Sequence, residues 1–154
     1  MTAIRHEEST ETLDEQLCLA LYLASRAMTA TYRPALEKLG LTYPQYLVLR
    51  FLWEEGTATV GEIGLRLHLE SNTLSPLIKR LENLQLVVRR RHPHDERAVD
   101  VALTRQGKAM QRRAASVPDQ VCEATALDAA GRARLVRRLR KLTGDLEARQ
   151  VASG

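Results

Sequence analysis

Apolar residues recur along this chain with two periods, and the changes of period divide it. From residue 13 to about residue 38 they fall at helical spacing on two sides at once. Leu17, Leu21, Ala24 and Met28 line one side, and Leu19, Leu23, Ala27 and Ala30 line another. A helix apolar on several faces needs cover on several sides, more than a small monomer readily supplies, so the pattern predicts that another chain covers it. Thr12 with Glu15 three residues on makes a capping box that predicts a helix start near Leu13, and Gly40 ends the helix. A second box, Thr42 with Gln45, opens a helix with Pro44 in its first turn and Leu47, Val48, Phe51 and Leu52 inward. Trp53 near its end reads as packing. A third box, Thr59 with Glu62, opens a short helix to about Leu67.

Residues 69–84 then carry one apolar stripe, Leu74, Leu77, Ile78, Leu81 and Leu84, with Ser71 or Asn72 as N-cap. The stripe turns Asn72, Thr73, Ser75, Lys79 and Arg80 outward. Short hydroxyl and amide side chains near a helix start, Ser71 among them, followed by two cations a turn later, suit a helix entering a DNA major groove. The first group would read base edges and the second would hold phosphates. An ordinary solvated amphipathic helix has the same stripe, and this segment alone leaves both readings open. Pro76 breaks a local rule by removing one helical donor. Two helices joined by a tight turn at residues 68–71 form a helix-turn-helix pattern.

Beyond Leu86 the period becomes two. Residues 87–91 and 97–103 read as strands around a loop at 92–96, with Val99, Val101 and Leu103 on one face. A lone hairpin is marginal in water, so it must pack on the helices, and after a helix-turn-helix it reads as a wing. Arg89, Arg90, Arg91 and Arg97 place cations where a wing meets the phosphate backbone or minor groove, with a cluster serving only solubility as the alternative. Thr104 caps a helix with the stripe Met110, Ala114, Val117 and Val121, kinked at Pro118. Asp128 caps a last helix with Leu135, Leu139, Leu142 and Leu146 inward. The predicted fold is mostly α with a small β-hairpin wing. A winged helix-turn-helix lobe at 42–103 is flanked by dimerisation helices from both chain ends, 13–40 and 104–150, in one domain over 1–154.

Charge sharpens this picture. The net charge is +4, but residues 1–16 carry Glu7, Glu8, Glu11, Asp14 and Glu15 against Arg5, a balance of −4, so the remainder is +8. That excess favours a polyanionic partner. Residues 132–141 hold six cations and no acid, read as a solvated helix face with DNA contact as the alternative. The first ten residues are polar and expected to fray. No apolar run approaches the roughly 20 residues needed to span a bilayer, and the start is acidic, so a soluble cytoplasmic protein without a membrane partner is expected. Of the histidines, His92 and His94 share the wing loop and His68 lies apart with no cysteine near, so solvated wing histidines are preferred to a metal site. Cys18 and Cys122, far apart in sequence, are either inert small core residues or a redox pair.

Residues 95–104 (Asp95, Arg97 two residues on, alternating aliphatics, then Leu103 and Thr104) resemble the wing signature of the MarR family of dimeric winged-helix transcription regulators, and the resemblance spans roughly residues 13–150. A narrower set is similar to the OhrR branch of organic hydroperoxide sensors: residues 16–22 with Cys18, then 32–34 with Tyr32, then 39–49 with Tyr43 and Tyr46, then 74–80. This resemblance implies a homodimer on a double-stranded DNA operator, with an organic hydroperoxide as reactive effector. It implies that Cys18 is the reactive thiol, that Tyr32 and Tyr43 donate hydrogen bonds to it, and that Cys122 is the resolving thiol of a multi-cysteine subgroup. Ala124, Thr125 and Ala126 stand where some members carry a further cysteine, so Cys122 is the sole resolving candidate.

Helix geometry bears on the tyrosines. Cys18 and Tyr32 are 14 residues apart, so on one helix they share a face but lie about 21 Å apart along the axis. They meet only if two first helices cross antiparallel near Ser25, midway between them, a crossing that Cys18, Tyr22, Ser25, Thr29 and Tyr32 suit as polar residues on one face. Satisfied tyrosines in an ordinary dimer core are the bland alternative. With the helix starting near Leu13, Cys18 stands about a turn and a half inside it, beyond the strong reach of the dipole, so phenol donors are asked to stabilise a thiolate. No cofactor is required. Within the same fold, the rival is a regulator taking a small non-oxidant ligand between its lobes. A thiol peroxidase using Cys18 is the rival enzyme, and it gives no reason for a basic wing, so the chain is not read as an enzyme.

Overall fold

The computed structural model describes residues 12–154 and shows a largely helical chain with one small antiparallel sheet. Glu7, Glu8 and Glu11 lie outside the described residues, as do the first ten residues read as frayed. The capping box at Thr12 closes only a single 3-10 turn, Leu13–Glu15, in which Glu15 Oε2 accepts from the Thr12 amide at 2.9 Å and its hydroxyl at 3.0 Å. Gln16 is then extended, with ψ 120°, so helix α1 begins later than expected and runs Leu17–Glu37. Gly40, with φ 69°, follows it and supplies the left-handed conformation of the turn.

Helix α2 spans Tyr43–Glu55. Its box is complete: the Thr42 amide donates to Gln45 Oε1 at 2.9 Å and the Gln45 amide to Thr42 Oγ1 at 3.4 Å. Its buried face is Tyr46, Val48, Leu49 and Leu52, with Leu47 and Phe51 only half-buried, a rotation of the expected face toward Tyr46 and Leu49. Strand β1, Ala58–Thr59, leads into α3, Val60–Leu67, whose box joins Thr59 and Glu62 as expected. His68, at φ 54°, ends it.

Helix α4 is Ser71–Asn83. Its N-cap is Glu70, not Ser71 or Asn72. Glu70 holds the extended backbone and its carbonyl accepts from the Thr73 and Leu74 amides, which leaves Ser71 and Asn72 as the first two helical residues. Pro76 is therefore the sixth helical residue, where its ring removes the bond that the Asn72 carbonyl would otherwise accept. Leu74, Ile78 and Leu81 are buried and Leu77 half-buried, whereas Leu84, standing at the C-cap, is exposed.

The wing is a three-stranded sheet of order β1-β3-β2, not a lone hairpin. Strand β2, Val87–His92, pairs antiparallel with β3, Asp95–Leu103, from Val87 opposite Leu103 to Arg91 opposite Val99, and slips register at His92. Ala58 pairs with Val101. Two-residue strands carry no readable period, so β1 leaves no trace in the pattern.

After Thr104 come α5, Arg105–Arg113, and α6, Val117–Ala124, where one kinked helix was expected. Pro118 sits in the first turn of α6, where a missing amide costs nothing, so it starts a helix instead of bending one. Met110, Ala114, Val117 and Val121 are all buried as expected. Helix α7, Ala129–Ala152, opens with Asp128 Oδ1 accepting from the Gly131 amide at 2.6 Å.

The chain divides into two compact units, residues up to Val117 and residues Pro118–Gly154. The first has a core around Val48, Leu49, Leu52, Ile63, Leu74 and Ile78. In the second, α7 buries no residue: Leu142 is half-buried, while Leu135, Leu139 and Leu146 remain 46%, 38% and 51% exposed, so three of the four leucines expected to face inward lack cover from a single chain. Among the described residues no helix is long and apolar enough to cross a membrane.

Candidate nucleic-acid interface and thiol site

Helix α4 presents Ser71, Asn72, Thr73, Ser75, Lys79 and Arg80 to solvent while its opposite face is sealed into the core. The wing leaves Arg89, Arg90, Arg91 and Arg97 exposed. Helix and wing enclose a cleft of about 420 Å³ in which Ser71 and Ser75 from α4 meet Arg89 and Arg97 from the wing, with Thr59 and Asp95 at its edge. The Arg97 amide donates to Asp95 Oδ1 at 2.9 Å, which shapes the wing turn. A convex helix face beside a basic ribbon can place hydroxyls and amides at base edges while guanidiniums engage phosphates.

Arg89 makes a contact that the sequence pattern did not indicate. Its guanidinium donates to Glu82 Oε1 at 3.0 Å and its amide to Glu82 Oε2 at 3.0 Å, so the wing is fastened to α4. These Arg89 hydrogen bonds hold the Glu82 carboxyl below its ordinary value. Seven residues separate the two across a tight turn, and the only sequence signal is an acid late in the helix followed by an arginine early in the strand. Among the described residues, no group of three or more His, Cys, Asp or Glu side chains could hold a metal ion.

The candidate thiol residues are carried by α1, α2 and α6. Tyr32 and Tyr43 are brought together, their ring centroids 4.7 Å apart. Tyr46 packs on Tyr32 at 5.8 Å, and Trp53 packs edge-on against Tyr46 at 6.2 Å. Burial pushes the Tyr43 phenol up, and Tyr46 likewise, with the Arg50 cation partly opposing the shift. A phenol with a raised pKa keeps its proton and remains a hydrogen-bond donor. Trp53 is more than packing, because its indole N–H donates to the Gly107 carbonyl at 3.0 Å.

Cys18 is exposed and is the second residue of α1. The expectation that it lies a turn and a half inside the helix is therefore corrected: the 3-10 turn at Leu13–Glu15 takes up the preceding residues. It stands in the first turn of α1. Helix α1 is continuous from Leu17 to Glu37, so Cys18 and Tyr32 of one chain are separated by about 21 Å. Cys122 is a half-buried free thiol near the end of α6, and its carbonyl accepts from the Thr125 hydroxyl at 2.7 Å.

Comparison with known proteins places the chain among transcriptional regulators. Residues 30–113 match the family model described as transcriptional regulator SarA/Rot. An organic hydroperoxide resistance transcriptional regulator of Bacillus subtilis is 46% identical over 109 residues, covering 71% of this chain and 74% of the relative. The structure of reduced AbfR bound to DNA superposes with a TM-score of 0.72 at 36% identity, covering 87% of this chain and 94% of that one. A structure of AbfR with its disulfide formed superposes with a TM-score of 0.65 at the same identity, covering 87% of this chain and 91% of that one. AbfR is a protein of Staphylococcus epidermidis.

Proposed function

The chain belongs to the MarR family of winged-helix transcription regulators, and we propose that it is a homodimeric repressor that binds an inverted-repeat DNA operator when reduced and leaves it when an organic hydroperoxide oxidises Cys18. One observation carries this reading: two phenols, Tyr32 and Tyr43, are clustered with ring centroids 4.7 Å apart on a chain whose own Cys18 lies about 21 Å from Tyr32 along the same helix. Two first helices crossing antiparallel near Ser25 would bring each Cys18 to the partner subunit's Tyr32. The exposed apolar residues Leu17, Leu23 and Met28 of α1 support such a covered crossing.

The chemistry balances with the residues present. The Cys18 thiolate attacks the terminal oxygen of the hydroperoxide, the O–O bond breaks, and the alkoxide takes up a proton and leaves as an alcohol. The sulfur becomes a sulfenic acid. The thiolate of Cys122 of the partner subunit then attacks that sulfur, the hydroxyl leaves as water after protonation, and a disulfide forms. Closing this bond would reorient the winged-helix lobes, whose recognition helices must sit about one DNA turn, ~34 Å, apart. The solved DNA-bound and disulfide-formed states of AbfR support a switch of this kind.

The test uses a DNA duplex enriched from random sequence by the reduced protein, titrated with and without cumene hydroperoxide. A coupling of ~3 kcal/mol lowers wild-type affinity ~100-fold on oxidation, and Cys18→Ser stays bound. Release of Cys18→Ser at the same peroxide dose as wild type overturns the sensor reading. A non-reducing gel reports the second step: oxidised wild type runs as a covalent dimer and Cys122→Ser does not.

A further inference from the structure

Resting on the redox reading above, we infer that Tyr46 and Trp53 are positioning residues that carry the state of the Tyr32–Tyr43 pair to the joint between the recognition helix and the wing. The joint is the pair Gln85 and Leu86. Gln85 adopts φ 59°, the left-handed conformation that closes helix α4, with its own amide donating to the Glu82 carbonyl and the Leu86 amide to the Leu81 carbonyl. Further contacts hold this joint from the start of α5. The Thr104 hydroxyl donates to the Gln85 carbonyl and the Thr104 amide to the Leu86 carbonyl at 3.1 Å. The Gly107 amide donates to the same Thr104 hydroxyl at 3.0 Å. Gly107 lies so close that a Cβ there would fall 2.0 Å from the Leu86 carbonyl oxygen, so backbone rests directly on backbone.

The Gly107 carbonyl is in turn held by the Trp53 indole N–H. Trp53 meets Tyr46, which is only 3% exposed, and Tyr46 meets Tyr32. An unbroken run of contacts thus leads from a phenol of the proposed thiol site to the root of the reading head. Each member is a flat ring with few torsions or a backbone group without slack, and close-packed interiors pass displacement on instead of absorbing it. When oxidation takes the partner subunit's Cys18 away from Tyr32, the Tyr32 ring re-seats, Tyr46 and Trp53 follow, and Gly107 moves the joint that sets the wing against α4. A leucine or phenylalanine would fill the space of Trp53 but could not grip the Gly107 carbonyl.

A contact run becomes a coupling only when energetic linkage is measured. The experiment compares operator affinity of reduced and peroxide-oxidised protein, on the same enriched duplex, for wild type, Trp53→Phe and Tyr46→Leu. Trp53→Phe keeps a ring and loses the N–H, while Tyr46→Leu keeps an apolar filler and loses the ring contacts. Both variants are expected to bind within about threefold of wild type when reduced, with the oxidised-to-reduced affinity ratio compressed about tenfold toward one. An unchanged ratio in both variants overturns the relay while leaving the sensor reading intact. Weaker reduced binding with an unchanged ratio assigns the pair to packing alone and also overturns it. A wild type that does not respond to peroxide overturns the sensor reading, and the relay falls with it.

Discussion

The winged-helix lobe and the long helices α1 and α7 bury their apolar residues in opposite ways. In the lobe, Val48, Leu49, Leu52, Ile63, Leu74 and Ile78 have no exposed surface, and each belongs to an element shorter than four turns that packs on several neighbours. Helix α1 is 21 residues long and buries only Leu36, and α7 is 24 residues long and buries none. Yet both long helices carry leucines at regular spacing. The difference teaches where each region gets its stability: the lobe closes its own core, whereas the long helices present apolar faces that a single chain leaves open, as helices held by a second copy do.

The sharpest way to break that contrast is to delete the same kind of side chain in each region. Ile78→Ala empties a fully buried site in the lobe and is expected to cost about 3 kcal/mol, read as a lower urea midpoint whose shift is the same at every protein concentration. Leu139→Ala trims a residue that is 38% exposed in one chain, so the lobe core loses nothing. Its expected effect is on assembly: about tenfold weaker self-association in sedimentation equilibrium, equivalent to ~1.4 kcal/mol, with stability falling on dilution. A Leu139→Ala protein that self-associates as wild type does would show that α7 is not part of the shared interface and would remove the contrast.

The same contrast explains what the sequence disclosed. Local signals were legible: the boxes at Thr42 and Thr59, the caps at Thr104 and Asp128, and the buried phase of Leu74, Ile78 and Leu81 all depend on residues within a turn of each other. What was hidden depends on distant partners or on competition between neighbours. Strand β1 exists only because Ala58 finds Val101, and Trp53 gains its role only because Gly107 lies beside it. The start of α1 was misplaced because the Thr12 box is satisfied equally well by one 3-10 turn, and that shift of four residues moved Cys18 into the first turn. At the candidate site, pattern alone named the outward residues of α4 and the wing arginines, and resemblance named Cys18, Tyr32, Tyr43 and Cys122. Neither could separate Arg89, bound to Glu82, from Arg90 and Arg91 beside it.

That distinction supplies the smallest effect, and one confined to the lobe. Glu82 is solvent-accessible, so its pair with Arg89 contributes little to global stability, but it ties the start of β2 to the end of α4. Glu82→Gln should leave the unfolding transition and self-association unchanged, lower operator affinity by a few-fold, and expose the Arg89 amide to faster hydrogen exchange. The pH dependence has a definite sign. The Glu82 pKa is depressed in the folded protein relative to its ordinary 4.5, so the clamp is fully present above about that pH and is lost as pH falls through the lower folded value. Wild-type Arg89 amide protection, corrected for intrinsic exchange, should therefore fall in that acid range, while the glutamine variant shows no such step. Equal protection in the two proteins at neutral pH would mean that the sheet alone holds the wing, with β1 and β3 sufficient to set its angle.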